Sequence, residues 1–327
     1  MRAAVLNDEH RFDVVDVADP SPGAGELVLR VHACGICGSD LKAYSAMPPG
    51  YVLGHEFCGE VVAVGSGAGD WREGQTVAAM PLFACGQCRW CLADEPAHCT
   101  KVDYQGVGGS PGAFAEYVRV DGASTVRLAD GVGQFGALVE PLAVGLHTVI
   151  AADLREGDRV LVIGGGNVGA AVAVWASRLG ASEVVVSDPV AGRRDAAATF
   201  GATGVHDPAA GPPPPGFDVV FECSGVPGMV QGAVDAAGVR CRVVIAGVCV
   251  VPDQIVPVVA IMKEVDLRFA VYYRSTEFAA AADLLASGAV DGAAFVSRRV
   301  GLEGVNGAFD TLLSPNTERK ILVTPNG

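Results

Sequence analysis

Apolar and polar positions alternate along the first third of the chain. FDVVDV (12–17) and ELVLRVHA (26–33), with Pro20, Ser21, Pro22 and Gly23 between them, predict an antiparallel pair joined by a loop. CGEVVAVG (58–65) and GQTVAAMP (74–81) predict two more strands around the turn GSGAGDWREG, and AFAEYVRV (113–120) another. FGALVEPLAVGLHTVIAADL (135–154) has the apolar spacing of a buried helix. From Asp158 the pattern changes. RVLVIGGGNVGAAVAVWASRLGASEVVVSDP reads as strand, glycine turn, amphipathic helix and second strand. FDVVFECSG, RCRVVIAG and VDLRFAVYY continue the alternation, EFAAAADLLASGAVD predicts a helix closed by Gly288, and KILVTP a last strand. DPAAGPPPPGF (207–217) is a stiff loop, because proline cannot sit in a helix interior. The expected class is α/β: a β-rich domain followed by a parallel sheet with helices.

Chemistry concentrates in three stretches. CGICGSDLKAYSAMPPGYVLGHE (34–56) brings Cys37, His55 and Glu56 between glycine loops, and thiolate, imidazole and carboxylate are the ligand types zinc takes. CGQCRWCLADEPAHC holds Cys85, Cys88, Cys91 and Cys99 in a Cys-x2-Cys-x2-Cys-x7-Cys pattern, which predicts a closed tetrahedral zinc site with no open position. Disulfides and an iron–sulfur cluster are the competing readings of four thiols. Gly164, Gly166 and Gly169 follow a strand and open a helix, with Asn167 and Val168 at its start, and Asp188 ends the next strand about 20 residues on. Gly164 makes the turn, Gly166 admits a pyrophosphate to the backbone and Gly169 packs helix against strand. Asp188 accepts ribose hydroxyls and repels a 2′-phosphate, so NAD is preferred over NADP. Arg193 and Arg194 cut the other way.

At 327 residues the chain accommodates two domains. A net charge of −14 argues against nucleic-acid and anionic-membrane partners. No apolar run approaches the roughly 18 residues of a membrane span, since Ala137 to Ala152 carries Glu140, Pro141 and His147. The start lacks a signal-peptide core, so a cytoplasmic protein with metal-binding thiols is expected.

GICGSD, GHE, the four-cysteine lobe, VEPLAVGLH and GGGNVG occur in the order seen in the zinc-dependent medium-chain dehydrogenase/reductases, which include alcohol, polyol, butanediol and threonine dehydrogenases, and the resemblance spans nearly the whole chain. It implies a GroES-like β-rich catalytic domain (1–145 and 285–327) interrupted by a Rossmann NAD-binding domain (146–284), with the active site in the cleft between them. It also implies one catalytic and one structural zinc. Cys37 and His55 match catalytic-zinc ligands, Glu56 a third ligand that exchanges with water in some members, and Glu140 a carboxylate ligand or its supporting partner. Asp40 resembles the carboxylate that orients the zinc-bound histidine, and Ser39 the hydroxyl that starts the proton relay. Lys42 stands where many members have histidine, on the relay or simply at the surface. Tyr44 and Phe114 are candidates for the substrate wall or ordinary core, and Cys34, Cys58, Cys223, Cys241 and Cys249 for packing.

The implied activity is NAD-linked oxidation of a secondary alcohol, diol, polyol or hydroxy-amine to a ketone. A threonine-type dehydrogenase or a biosynthetic ketone reductase is the alternative, and a non-catalytic zinc and dinucleotide binder the remote one. VVPDQIVPVVAIMKEVDLRF (250–269) reads as an apolar strand region suited to edge-to-edge pairing in a homodimer or homotetramer.

Overall fold

The computed structural model describes residues 1–327. They form two compact units, Met1–Glu140 with Arg274–Gly327, and Pro141–Tyr273. Both crossings come earlier than the expected 145/146 and 284/285. The second has a packing reason: the helix Ser275–Ala286 lies against the strand Thr125–Arg127 and the 3-10 segment Gly133–Leu138, both of the first unit.

In the first unit, β1 (Arg2–Leu6) and β2 (Phe12–Asp16) pair antiparallel with each other. The expected pairing of FDVVDV with ELVLRVHA does not form. Asn7 closes the local turn instead, its Oδ1 accepting from the N–H groups of Glu9 at 3.0 Å and Arg11 at 2.9 Å, while His10 takes a positive φ of 55°. β3 (Glu26–Gly35) becomes the centre of a seven-stranded sheet. One edge pairs antiparallel with β4 (Glu56–Val64). The other edge pairs first with Tyr117–Asp121 and then, at Cys34 and Gly35, with the final strand Lys320–Val323. β5 (Thr76–Ala79) extends the sheet beyond β4 as expected. Leu27, Leu29 and Val31 of β3 enter a core shared with Phe57, Phe114 and Phe309. Each such side chain contributes about 1.5–3 kcal/mol by leaving water.

The second unit has a six-stranded parallel sheet, in the order Gly204–His206, Glu183–Ser187, Arg159–Ile163, Phe217–Glu222, Ala237–Ile245, Asp266–Phe269. The strand order reverses beside Arg159–Ile163, which is followed by the helix Asn167–Arg178, as in a doubly wound dinucleotide fold. The segment expected to be an apolar strand is different: Pro257–Lys263 is a helix with proline in its first turn, and only Asp266–Phe269 is strand. By length and composition alone, the helical run Gly133–Ala151 could cross a membrane; 67% of its 18-residue apolar window is buried inside the protein.

The four-cysteine lobe is fastened to the helix Ser275–Ala286. Asp94 accepts from the N–H groups of Ser275 (3.0 Å) and Thr276 (3.1 Å) and from the Thr276 hydroxyl (2.7 Å), while Glu95 pairs with Arg274 at 2.9 Å. A carboxylate from elsewhere in the chain thus caps the helix N-terminus. Asp94→Ala should lower stability by about 0.5–2 kcal/mol in urea unfolding. It should also speed amide hydrogen exchange at 275–278, and unchanged exchange there would assign the capping to other groups.

Candidate metal and dinucleotide sites

Register places the first site. Gly35 of β3 lies opposite Glu56 of β4 and Leu322 of the final strand, so the strands deliver His55 and Glu56 beside the loop that starts at Ile36. A short helix, α1 (Gly38–Ala43), follows with Cys37 as its N-cap residue. The Cys37 N–H donates to Asp40 Oδ2 at 2.8 Å, and Asp40 Oδ1 lies 3.1 Å from His55 Nδ1. Asp40 is fully buried and His55 nearly so. Each of Cys37, His55 and Glu56 offers a donor atom within 4.8 Å of the others. Thiolate, imidazole and carboxylate at this spacing fit a zinc ion, and an acid behind the imidazole is the usual support for a ligating histidine. Burial alone would lower the His55 pKa; Asp40 and Cys37 outweigh it, and the pKa is raised well above its ordinary value.

Ser39, on α1, has its Oγ 3.4 Å from His55 Nε2, the ring edge away from Asp40. Lys42 is half-buried in the last turn of α1. Glu140 is buried at the start of the helix Val139–Ala151 and is not one of the clustered trio. Phe114 is core, fully buried and edge-on to Phe12 and Phe309, while Tyr44 is half-buried and packs on Phe309. Cys34, Cys58 and Cys241 are buried as expected; burial raises the Cys34 thiol well above its usual range and Cys58 to about 12. Cys223 and Cys249 are only partly covered.

One residue escaped the sequence reading. Lys320 opens the final strand, is 2% exposed, and places its Nζ 2.8 Å and 2.6 Å from the two Glu56 carboxylate oxygens and 2.9 Å from the Ile36 carbonyl. Burial lowers its pKa, but Glu56 and Cys37 together outweigh that and raise it. The only available signal was a lysine beginning the apolar run KILV.

The four cysteines of the lobe also bring their sulfurs within 4.8 Å of one another. Backbone N–H groups pull the Cys85 and Cys88 pKa values down, while burial and neighbouring thiols push Cys91 up. The N–H groups of Cys85 and Lys101 each donate to Cys99 Sγ at 3.3 Å. Four thiol groups in this arrangement fit a closed metal site.

In the second unit the three glycines behave differently. Gly164 has φ +97°, so it turns where other residues strain. A Cβ on Gly169 would sit 1.8 Å from the Gly164 carbonyl oxygen. Gly166, the N-cap of the helix Asn167–Arg178, has open space before it. Both polar atoms of the Asn167 side chain are buried without a partner, and Val168 is half-buried beside it. A helix N-terminus with an unobstructed backbone fits a pyrophosphate. Asp188 is 2% exposed, its oxygens accepting from the N–H groups of Gly165 and Val190, each at 2.8 Å, with Arg193 at 3.6 Å. Arg194 is occupied by the Asp188 carbonyl and Asp207, both at 2.7 Å.

Gly166→Ala should leave stability within about 0.5 kcal/mol of the parent, because the position is open and its φ ordinary, yet weaken dinucleotide binding at least tenfold. Gly169→Ala should instead cost about 1–3 kcal/mol from overpacking. Urea unfolding and fluorescence titration separate the two, and equal losses of stability would refute the division of labour.

Residues 23–130 match the alcohol dehydrogenase GroES-like domain, and residues 167–287 match the zinc-binding dehydrogenase domain. The chain is 34% identical to 2-dehydro-3-deoxy-L-galactonate 5-dehydrogenase of Pseudoalteromonas atlantica, covering 100% of this chain and 99% of that protein. It is 30% identical to (R,R)-butanediol dehydrogenase of Bacillus subtilis over 100% of both. A structure described only as a zinc-binding dehydrogenase from Sinorhizobium meliloti, bound to NADP, superimposes with a TM-score of 0.90 at 33% identity, covering 99% of each chain. With a GroES-like and a Rossmann-type unit joined in one chain, this protein belongs to the zinc-dependent medium-chain dehydrogenases.

Proposed function

We propose that this enzyme oxidises a secondary alcohol with a neighbouring oxygen or amino group to a ketone, using zinc and a nicotinamide dinucleotide, with NAD preferred. The observation that carries the reading is the clustering of Cys37, His55 and Glu56 donor atoms around one point, with Asp40 behind the imidazole. The names of the butanediol and galactonate relatives, each with more than one oxygen on the substrate, support the substrate class.

In this reading Cys37 and His55 hold the catalytic zinc, with Glu56 or Glu140 as the third protein ligand. Zinc, when bound, supplies the Lewis acid that makes the substrate hydroxyl acidic, and the dinucleotide supplies the hydride acceptor. Asp40 fixes His55 so that Nε2 faces outward for ligation. Ser39 Oγ, on that same edge of the imidazole, receives the substrate proton. Lys42 follows three residues later, on the same face of α1 as Ser39. It joins the relay only by first releasing its own proton to water, because an ammonium has no lone pair to accept another. Otherwise it is a surface residue and the proton leaves through water. Cys85, Cys88, Cys91 and Cys99 hold a second zinc with a purely structural role.

The cofactor preference rests on Asp188. Its carboxylate, fixed by two backbone donors, faces a ribose hydroxyl favourably and a 2′-phosphate unfavourably. With Arg194 already engaged, Arg193 is the guanidinium that would take such a phosphate. We also infer a second copy of the chain along the edge strand Asp266–Phe269. Val258, Ile261, Met262, Phe269 and Val271 are all more than half exposed around it, and two edges pairing would cover them. Ten free cysteines suit a cytoplasmic setting.

Absorbance at 340 nm should show NADH formation with one class among secondary alcohols, vicinal diols, polyols and hydroxy-amino acids. Metal analysis should find two zincs per chain, falling to one in Cys37→Ala. Two retained zincs in that variant would sink the assignment. Asp188→Asn should shift the NAD-to-NADP ratio of kcat/KM toward NADP by about tenfold, roughly 1.4 kcal/mol, and Arg193→Ala should remove NADP activity first. An unmoved ratio in Asp188→Asn would transfer control to Arg193.

A further inference from the structure

A cavity of about 340 Å³ opens in the first unit, and none of Cys37, His55, Glu56 or the four lobe cysteines lines it. Val17, Val52, Phe83, Ala115 and Val118 give it an apolar wall. Its size lies at the lower end of small-molecule sites, roughly 300–1,000 Å³. The two cations on the wall are engaged, Arg119 with Glu26 at 2.8 Å and the Met1 ammonium with Asp19 at 2.6 Å. The Ser110 hydroxyl donates to Asp103 at 2.6 Å. An ionic occupant would find no free counter-charge here.

One polar atom on that wall is left over. Gln105 is 2% exposed, and its Nε2 donates to the carbonyls of Arg119 at 2.6 Å and Pro111 at 3.1 Å. Two carbonyl partners fix the carboxamide, because only its nitrogen can donate to them. Oε1 therefore points away from both, and it is buried with no partner. An unpaired buried acceptor costs about 1–3 kcal/mol, and a donor arriving in the cavity recovers that cost. We propose that the cavity binds a small uncharged ring compound with one O–H or N–H donor, such as a phenol or a cyclic alcohol. The donor meets Gln105 Oε1 and the ring lies against Val52, Phe83 and Val118. The site is separate from the metal centre but shares its scaffold. Gly112, on the cavity wall, donates to the Val52 carbonyl at 2.8 Å, and a Cβ on it would lie 2.4 Å from the carbonyl oxygens of Leu53 and Gly54, the two residues before His55.

The test is a titration of the whole protein with phenol, followed by NMR at the Gln105 side-chain amide and the backbone amides of Gly112 and Ala115. Phenol should shift all three saturably. Anisole, the same ring with a methyl ether in place of the donor, should bind about tenfold more weakly, the loss of one buried hydrogen bond. Ala18→Trp puts a large side chain on the exposed rim of the cavity. It should weaken phenol binding by about tenfold or more while unfolding in urea like the parent, as exposed substitutions do. Cys37→Ala, which disables the metal centre, should bind phenol as the parent does. The inference is overturned if phenol causes no saturable shift at these residues. Equal affinity for anisole would overturn it too, by showing that water satisfies Gln105 and the cavity is merely apolar. Binding that survives Ala18→Trp, or that vanishes in Cys37→Ala, would place phenol elsewhere and end the proposal.

Discussion

Negative charge buried in one small volume governs the first unit. Asp40 and Glu56 are both at most 1% exposed, beside the half-buried Cys37 thiol. Isolating one carboxylate from water costs several kcal/mol, about 3–5 when a buried partner is lost. The chain meets that cost in three ways. Backbone donation from Cys37 satisfies Asp40, the imidazole of His55 faces its other oxygen, and Lys320 satisfies Glu56. Lys320 is the one ammonium in the arrangement, and the set of donors around it still favours a further cation.

The same constraint explains the strand order. A charge on the last strand of the chain can neutralise one on β4 only if the two strands flank a residue with no side chain, and Gly35 on β3 is that residue. β3 therefore has to accept β4 on one edge and the C-terminal strand on the other. β2 pairs with β1 through the Asn7 turn, and the chain returns to the first unit after its excursion into the parallel sheet. The Asp94 cap holds the returning helix at its first turn.

In the second unit, function is separated from stability at the scale of single glycines. Gly169 is needed by the packing and Gly166 by whatever approaches the backbone, although the two lie one helical turn apart. Asp188 does both tasks. It ties the glycine turn to the end of its strand and, in the proposed function, presents the charge on which the cofactor preference rests.

Sequence alone determined the features whose physics is local. Four cysteines within fifteen residues, a glycine pattern after a strand, and Cys37, His55 and Glu56 on either side of one loop are legible by spacing as groups that can meet. The fold does bring the donor atoms of both clusters together, while the place of Asp40 behind His55 came only from the family resemblance. Only the tertiary structure decided which strands meet. The alternation in FDVVDV and ELVLRVHA is that of two strands, and it says nothing of partners. Strand pairing is set by turn geometry, as at Asn7, and by the core that each face must join. Lys320 was illegible for the same reason. Its meaning lies in a carboxylate 264 residues away, and a lysine at a strand start looks like a solvated one until the fold removes the solvent.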